Sequence, residues 1–191
     1  MRKHLKIATN PEYAAVREAL LKALPEFALV RDSELREKVL HVWQEALRRG
    51  GWAVEDLSRI PSTLRAGTAM SLLHYVRGVA VTCYRLAEVM LGFYGPRAPL
   101  VLDVLAAGAL LHDVGKLLEY RESGGTFSRS SVGGLVRHPV SGAALCFELG
   151  LPVEVIHLVA NHSVEGEHVR RSAEAALLHH VVRLSQDIVT G

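Results

Sequence analysis

A histidine–aspartate dyad, His112-Asp113, lies within the most apolar stretch of the sequence, and Lys116 follows at short spacing. A buried carboxylate has to be paired or bound to a metal ion, because an isolated charge loses too much solvation energy in an apolar environment. The neighbouring imidazole offers a nitrogen ligand that suits a divalent transition metal. Lys116 falls on the same predicted helix face, where it could neutralise negative charge or contact a phosphate. The dyad therefore indicates a metal site, or a buried Asp–Lys ion pair with an uninvolved histidine.

Three further histidines stand at or inside mostly apolar segments, each on a different predicted helix from the dyad. His74 interrupts an apolar run, His138 directly precedes Pro139, and His162 ends a helical segment. A single histidine of this kind is more often a satisfied core residue than a ligand. Several on separate helices are the arrangement that builds a metal site inside a helical bundle. The candidate metal ligands are His74, His112, Asp113, His138 and His162.

Cap residues, prolines and hydrophobic periodicity predict that these residues lie on or next to helices. No segment shows strong strand alternation, so the predicted fold class is all-α. Cap residues and prolines predict a first helix from Asn10-Pro11 and a second from Asp32-Ser33 to Gly50-Gly51. Hydrophobic patterns predict a long helix over about 68–92 and a very apolar helix over about 100–120 that contains the dyad. Further helices are expected to begin at Pro139 and Pro152, and a last one at the cap residue Ser172.

The segment 121–137 differs from its surroundings because it is rich in glycine and serine and poor in apolar residues. It predicts a long loop or a small hairpin, and segments of this length in compact domains are usually functional or mobile. Arg129 and Arg137 flank the part that leads to His138. Arginine suits bidentate phosphate contacts, although an exposed arginine is often only solvated.

The order His74, His112-Asp113-Val-Gly-Lys116, His138 and His162 resembles the HD superfamily of metal-dependent phosphohydrolases. The phrase LLHDVGKLLE, followed by RHPVSG, is similar to the HD domain of HD-containing exoribonucleases. The resemblance covers roughly residues 60–191. It implies an HD-domain helical bundle over 61–191 with a short loop or hairpin insertion at about 121–137. Residues 1–60 lie outside the resemblance, and their helical signals predict an N-terminal helical extension.

The resemblance also implies a ligand set. In this family the first histidine, the dyad and an aspartate from the last helix hold one metal, which corresponds to His74, His112 and Asp113 here. Additional histidines hold a second metal or the substrate phosphate, which corresponds to His138 and His162.

The aspartate that the family places in the last helix is missing here, because Val182 stands at its expected position. His179 lies on nearly the same side of the helix, whereas Asp187 is rotated by about 140° from residue 182. Either could substitute, or water or no ligand could complete the site. The family's paired histidines are also reduced here to Asn161-His162.

The implied function is a metal-dependent phosphohydrolase, either a phosphomonoesterase or a phosphodiesterase, that acts on a nucleotide or nucleic-acid-like phosphate. Asp113 and Lys116 would be its catalytic residues, and the metal could be Mn²⁺, Fe²⁺, Co²⁺, Ni²⁺ or Zn²⁺. The missing carboxylate favours an alternative, a catalytically degenerate HD domain that acts as a nucleotide- or partner-binding module.

Composition limits the partners. The 22 Lys and Arg residues nearly balance the 20 Asp and Glu residues, so charge does not argue for nucleic acid, and a small phosphate-containing molecule or nucleotide is expected. No apolar stretch is long enough to span a membrane. Cys83 and Cys146 lie in apolar helical patterns and are expected to be reduced and buried, which is typical of a cytoplasmic protein. The N-terminal helices could serve a homodimer interface.

Overall fold

The computed structural model of the chain describes residues 11–65 and 70–190. Its helices are α1 (Pro11–Ala23), α2 (Ser33–Gly50), α3 (Leu72–Tyr94), α4 (Leu102–Leu111), α5 (Lys116–Glu119), α6 (His138–Glu148), α7 (Val153–Asn161) and α8 (Ala173–Thr190). Strands β1 (Tyr120–Ser123) and β2 (Thr126–Arg129) form an antiparallel hairpin. The predicted all-α class with a hairpin insertion is confirmed.

Several helix ends lie where the cap residues predict them. The Asp32 side chain accepts a hydrogen bond from the N–H of Leu35 at 2.8 Å, and Gly51 ends α2 in the left-handed conformation with φ of 74°. Ser172 accepts from the N–H of Ala175 at 3.2 Å and begins α8. The predicted cap residue Asn10 lies outside the described residues.

Helix α4 occupies the centre of the bundle and contacts α2, α3, α7 and α8. Its residues 105–111 are all buried, as expected for a helix that is apolar on every side. Gly108 allows α7 to approach closely, since a Cβ atom there would lie 2.3 Å from a methyl carbon of Leu158. This packing fixes the end of α4, from which the dyad follows.

The prediction of one continuous helix over about 100–120 is wrong at the dyad. Helix α4 ends at Leu111, residues 112–115 form tight turns, and α5 begins at Lys116. The turns are closed by main-chain hydrogen bonds between residues three apart, such as Lys116 N–H to the Asp113 carbonyl at 3.0 Å. Gly115 lies against α6, where a Cβ atom would be 2.1 Å from the His138 carbonyl oxygen. The break therefore brings the dyad close to His138.

The N-terminal helices pack on the segment that carries the dyad. The indole N–H of Trp43 donates to the carbonyl of Leu110 at 3.2 Å, and that of Trp52 donates to the carbonyl of Leu117 at 2.8 Å. Residues of α1 and α2 belong to the same hydrophobic core as α4. The boundary near residue 60 stays a prediction.

Both cysteines are free and buried, and burial raises the pKa of each thiol to about 12. Within 11–65 and 70–190, every helix is too short or too polar to cross a membrane.

Candidate metal centre

Three side chains from three separate places in the chain meet at one point. Asp113 lies in the turn between α4 and α5, His138 is the first residue of α6, and His162 directly follows α7. Their potential ligand atoms all lie within 4.8 Å of one another. Oxygen Oδ1 of Asp113 is 3.2 Å from Nε2 of His138 and 3.8 Å from Nε2 of His162. These distances define a buried cluster of two imidazoles and one carboxylate.

The imidazole rings around Asp113 are oriented by hydrogen bonds at Nδ1. In His112 and His162, Nδ1 lies 2.7 and 2.8 Å from the main-chain carbonyl oxygen three residues earlier. In His138, Nδ1 lies 2.9 Å from Oε2 of Glu119. Carbonyl and carboxylate oxygens only accept, so each Nδ1 carries the hydrogen and each Nε2 is directed towards Asp113. Metal-binding histidines are commonly held in this way by a second group.

His112 adds a third imidazole nitrogen to the cluster. Its side chain is fully buried, and its Nε2 has no hydrogen-bond partner among the residues that the structure describes. The nearest carboxylate oxygen, Oδ2 of Asp113, lies 3.4 Å away. A buried nitrogen lone pair that faces a carboxylate is unfavourable unless a cation lies between them. Three nitrogens and one carboxylate therefore fit a divalent transition metal.

Lys116 forms a buried ion pair with the dyad. Its ammonium group lies 2.6 Å from Oδ2 of Asp113 and also donates to the main-chain carbonyl of Ser62. Burial alone would raise the pKa of Asp113, but the positive charge of Lys116 outweighs this effect and holds the pKa well below its usual value. Asp113 is therefore ionised, as a metal ligand has to be.

The pKa values of the other two histidines of the cluster are shifted in opposite directions. Burial, together with the nearby rings of His112 and His138, holds the pKa of His162 well below its usual value, so this imidazole is neutral. Burial alone would lower the pKa of His138, but its hydrogen bonds to Asp113 and Glu119 outweigh burial and raise it. A cation that binds between His138 and Asp113 would therefore compete with a proton for Nε2 of His138.

Glu119, for which the sequence predicted no role, contacts His138 on the Nδ1 side of the imidazole ring. The side chain is 3% exposed, and its Oε2 accepts from the main-chain N–H of His138 at 2.7 Å as well as from Nδ1. Its Oε1 lies 3.3 Å from Nε of Arg129 and 3.4 Å from Nε of Arg137. The signal was available in the sequence, because a carboxylate in the apolar run Leu117-Leu118-Glu119-Tyr120 needs partners for the same reason as Asp113.

The structure does not bring His74 to this cluster. The side chain is exposed, and its Nδ1 lies 2.9 Å from the hydroxyl of Ser71, the cap residue of α3. Its neighbour Tyr75 faces inwards, with its ring centre 5.9 Å from that of His112 and its hydroxyl donating to the Val182 carbonyl at 3.2 Å. Successive helical residues point about 100° apart, so only one of the pair can face the site. The expected ligand role of His74 has no support in this arrangement.

The side chains that the structure describes on the last helix, α8, lie outside the cluster. Val182 is buried, while Asp187 is exposed. His179 is half-buried, and its Nδ1 lies 2.8 Å from the carbonyl oxygen of His162. Neither His179 nor Asp187 belongs to the group of converging ligands found in the described parts of the chain.

A cavity of about 460 Å³ opens beside the cluster. His138, His162 and Tyr75 line it on the side of the metal centre. Its wall also carries five cationic side chains: Arg65, Lys116, Arg129, Arg137 and Arg183. Among the described residues that line it, Glu119 is the one carboxylate. The balance of charge favours an anionic ligand.

A model of the HD domain family matches residues 75–184, which is more than half of the chain, and the chain belongs to this family. One curated relative, from Methanocaldococcus jannaschii, is described as a dihydroneopterin 2′,3′-cyclic phosphate phosphodiesterase and is 29% identical over 161 residues. The alignment covers 79% of this chain but 62% of that protein, so the chain spans less than two-thirds of the relative's length. No solved structure matches the chain significantly.

Proposed function

We propose that this protein is a metal-dependent phosphohydrolase, a phosphomonoesterase or phosphodiesterase that acts on a nucleotide or nucleic-acid-like phosphate. One observation carries the proposal. Three imidazoles, each fixed at Nδ1, direct Nε2 towards one buried carboxylate at the edge of a cationic cavity. Family membership and the phosphodiesterase name of the M. jannaschii relative support the same class of reaction.

The metal ligands in this proposal are His112, Asp113, His138 and His162. Their nitrogen and carboxylate donors suit Mn²⁺, Fe²⁺, Co²⁺, Ni²⁺ or Zn²⁺. A divalent ion held here supplies Lewis acidity and an activated water near neutral pH. The hydrogen bonds at Nδ1 keep the rings in the tautomer and orientation that ligation requires.

Lys116 and Ser62 would bind the substrate phosphate on the cavity side. Lys116 lines the cavity while its contact with Asp113 holds the ammonium group in place, and an ammonium so fixed stabilises charge that develops on phosphoryl oxygens. Ser62 also lines the cavity, and its hydroxyl is buried without a hydrogen-bond partner in the part of the chain that the structure describes. A phosphate oxygen in the cavity would accept from this hydroxyl and remove the cost of leaving it unpaired.

The test measures metal content first and turnover second. Purified protein is assayed for bound metal and then for hydrolysis of phosphomonoesters, nucleotides and 2′,3′-cyclic phosphates with Mn²⁺, Co²⁺ or Ni²⁺. We expect metal-dependent turnover that Asp113→Ala abolishes and that Asp187→Ala, a control at an exposed carboxylate, retains. Absence of turnover in the presence of bound metal would overturn the hydrolase assignment and favour the binding-module alternative.

A further inference from the structure

We propose that Arg129 and Arg137 form a second anion subsite in this cavity, which binds an additional anionic group of the substrate. The proposal rests on the proposed function in taking the substrate to be a phosphate ester held at the histidine cluster. It narrows the substrate to a small phosphate ester that carries a second phosphate or carboxylate.

The two guanidinium groups compete for one carboxylate oxygen. Their Nε atoms lie 3.3 and 3.4 Å from the same atom, Oε1 of Glu119. The other oxygen of Glu119 already accepts two hydrogen bonds from His138. Arg137 has one more contact, a distance of 3.9 Å from Nη1 to Oε1 of Glu165. Because a guanidinium has five N–H donors, most of the donors of both arginines remain available.

Both arginines also reach the space where a ligand would bind. Their side chains are 52% and 44% exposed, and both line the cavity. Among the described residues that line this cavity, the charges of both arginines face the single carboxylate of Glu119, and Arg65 and Arg183 add further positive charge. Arginine forks of this kind bind phosphate and carboxylate groups in a bidentate manner.

The subsite is separate from the metal centre. Nε2 of His138 faces Asp113, whereas Nδ1 on the other side of the ring faces Glu119. The arginines therefore contact Glu119 on the Nδ1 side of the His138 ring, whereas the cluster lies on the Nε2 side. In this proposal the cluster holds one phosphate and the arginines hold a second anionic group of the same ligand. The cavity volume is that of a site for a small molecule.

The test compares two nucleotides that differ by one phosphate. Adenosine 5′-monophosphate and adenosine 3′,5′-bisphosphate are titrated calorimetrically into Mn²⁺-loaded protein. We expect the bisphosphate to bind about 10-fold more tightly, the scale of one charge-assisted contact. Arg129→Gln and Arg137→Gln should each reduce this preference to about 2-fold or less and leave monophosphate affinity within about 2-fold.

Arg121→Gln is the matched control, because Arg121 lies on the same hairpin, outside the residues that line the cavity, and contacts Ser128. Thermal unfolding of each variant checks that the fold is intact, and Arg129→Lys, which keeps the charge, should retain part of the preference. Equal affinity of the wild-type protein for both nucleotides, or an unchanged preference in both glutamine variants, overturns the subsite. Turnover is measured separately. A preference for the bisphosphate that depends on the arginines, without turnover, contradicts only the hydrolase proposal. Turnover without that preference contradicts only the subsite.

Discussion

Glu119 holds His138 through two hydrogen bonds to a single oxygen, at 2.7 Å from the main-chain nitrogen and 2.9 Å from Nδ1. The first contact fixes where α6 begins, and the second fixes the direction of the imidazole. Burial alone would raise the pKa of Glu119, but the contacts with His138 and Arg137 outweigh burial and lower it. An ionised carboxylate thus links the start of a helix to a candidate metal ligand.

Removal of this link should weaken both metal binding and the fold. We expect Glu119→Ala to lower the affinity for Mn²⁺ by about 10- to 100-fold, the usual effect of losing a group that orients a ligand. The free energy of unfolding should fall by about 1–3 kcal/mol, because the buried N–H of His138 loses its acceptor. Calorimetric titration measures the first effect. Glu122→Ala, at a partly exposed residue of β1 that pairs with Arg59, is the control and should bind Mn²⁺ normally.

The buried pair of Lys116 and Asp113 should make the metal-free protein sensitive to loss of the lysine. Lys116→Met leaves a buried carboxylate without its main counter-charge, so we expect destabilisation by about 3–5 kcal/mol. Added Mn²⁺ should raise the melting temperature of this variant by more than it raises that of the wild-type protein, because a cation replaces the lost charge. Lys38→Met, which breaks an exposed pair with Glu34, should cost less than about 1 kcal/mol. A smaller response to Mn²⁺ in Lys116→Met than in the wild type would contradict this account.

Gly115 allows the dyad turn to approach α6, and an added methyl group should separate them. In Gly115→Ala the new Cβ atom would lie 2.1 Å from the His138 carbonyl oxygen, a backbone atom that cannot rotate away. We expect a loss of at least about 2 kcal/mol in the free energy of unfolding, together with weaker Mn²⁺ binding. Gly78→Ala is the matched control on α3, with no heavy atom within 4 Å, and should be neutral or stabilising by up to about 1 kcal/mol. Equal effects of the two substitutions in urea unfolding would refute this explanation.

Glu45 should make stability depend on pH at a distance from the metal centre. Its carboxylate is 6% exposed and contacts Arg48, Arg49 and the hydroxyl of Tyr13. The hydrogen bond from Arg48 lowers its pKa to about 2 and outweighs burial. A carboxylate with a lowered pKa contributes stability above its unfolded value near 4.5 and loses this contribution as the pH falls towards 2.

The measurement is urea unfolding of the wild-type protein and Glu45→Gln at pH 7 and pH 3. We expect a difference of about 2–3 kcal/mol at pH 7 that falls by about half at pH 3. Glu34→Gln removes an 81% exposed carboxylate and should change stability by less than about 0.5 kcal/mol at both pH values. A difference for Glu45→Gln that does not change with pH would show that the contacts of Glu45 do not depend on its charge.

The sequence alone located much of the centre, and its errors have identifiable causes. His138 lies at the start of a helix, directly before Pro139, and His162 lies directly after the end of another. The structure brings both to Asp113. His74 and Tyr75 are adjacent in an apolar run, so hydrophobic periodicity could not decide which of them faces inwards. In the structure Tyr75 is the buried residue of the pair, while the exposed His74 ring contacts the hydroxyl of the cap residue Ser71.

The break between α4 and α5 was not predictable from local sequence. Residues 100–120 are apolar almost throughout, and no proline interrupts them, so the pattern favours one helix. The chain turns at residues 112–115 because Gly115 packs against α6, a contact between residues far apart in the sequence. The apolar run around Glu119 indicated that its carboxylate needs partners, but which partners could not be predicted, since they lie on β2 and at the start of α6.

The two tryptophans of this chain donate to the carbonyls of Leu110 and Leu117, one on either side of the dyad turn. Indole emission responds to the strength of the hydrogen bond at its nitrogen and to the polarity around its ring. The protein therefore has two indole fluorophores hydrogen-bonded to the segment that carries its candidate metal ligands. Loading of the centre can be followed optically in the unlabelled chain, and Trp43→Phe and Trp52→Phe would assign the signal to either side of the turn.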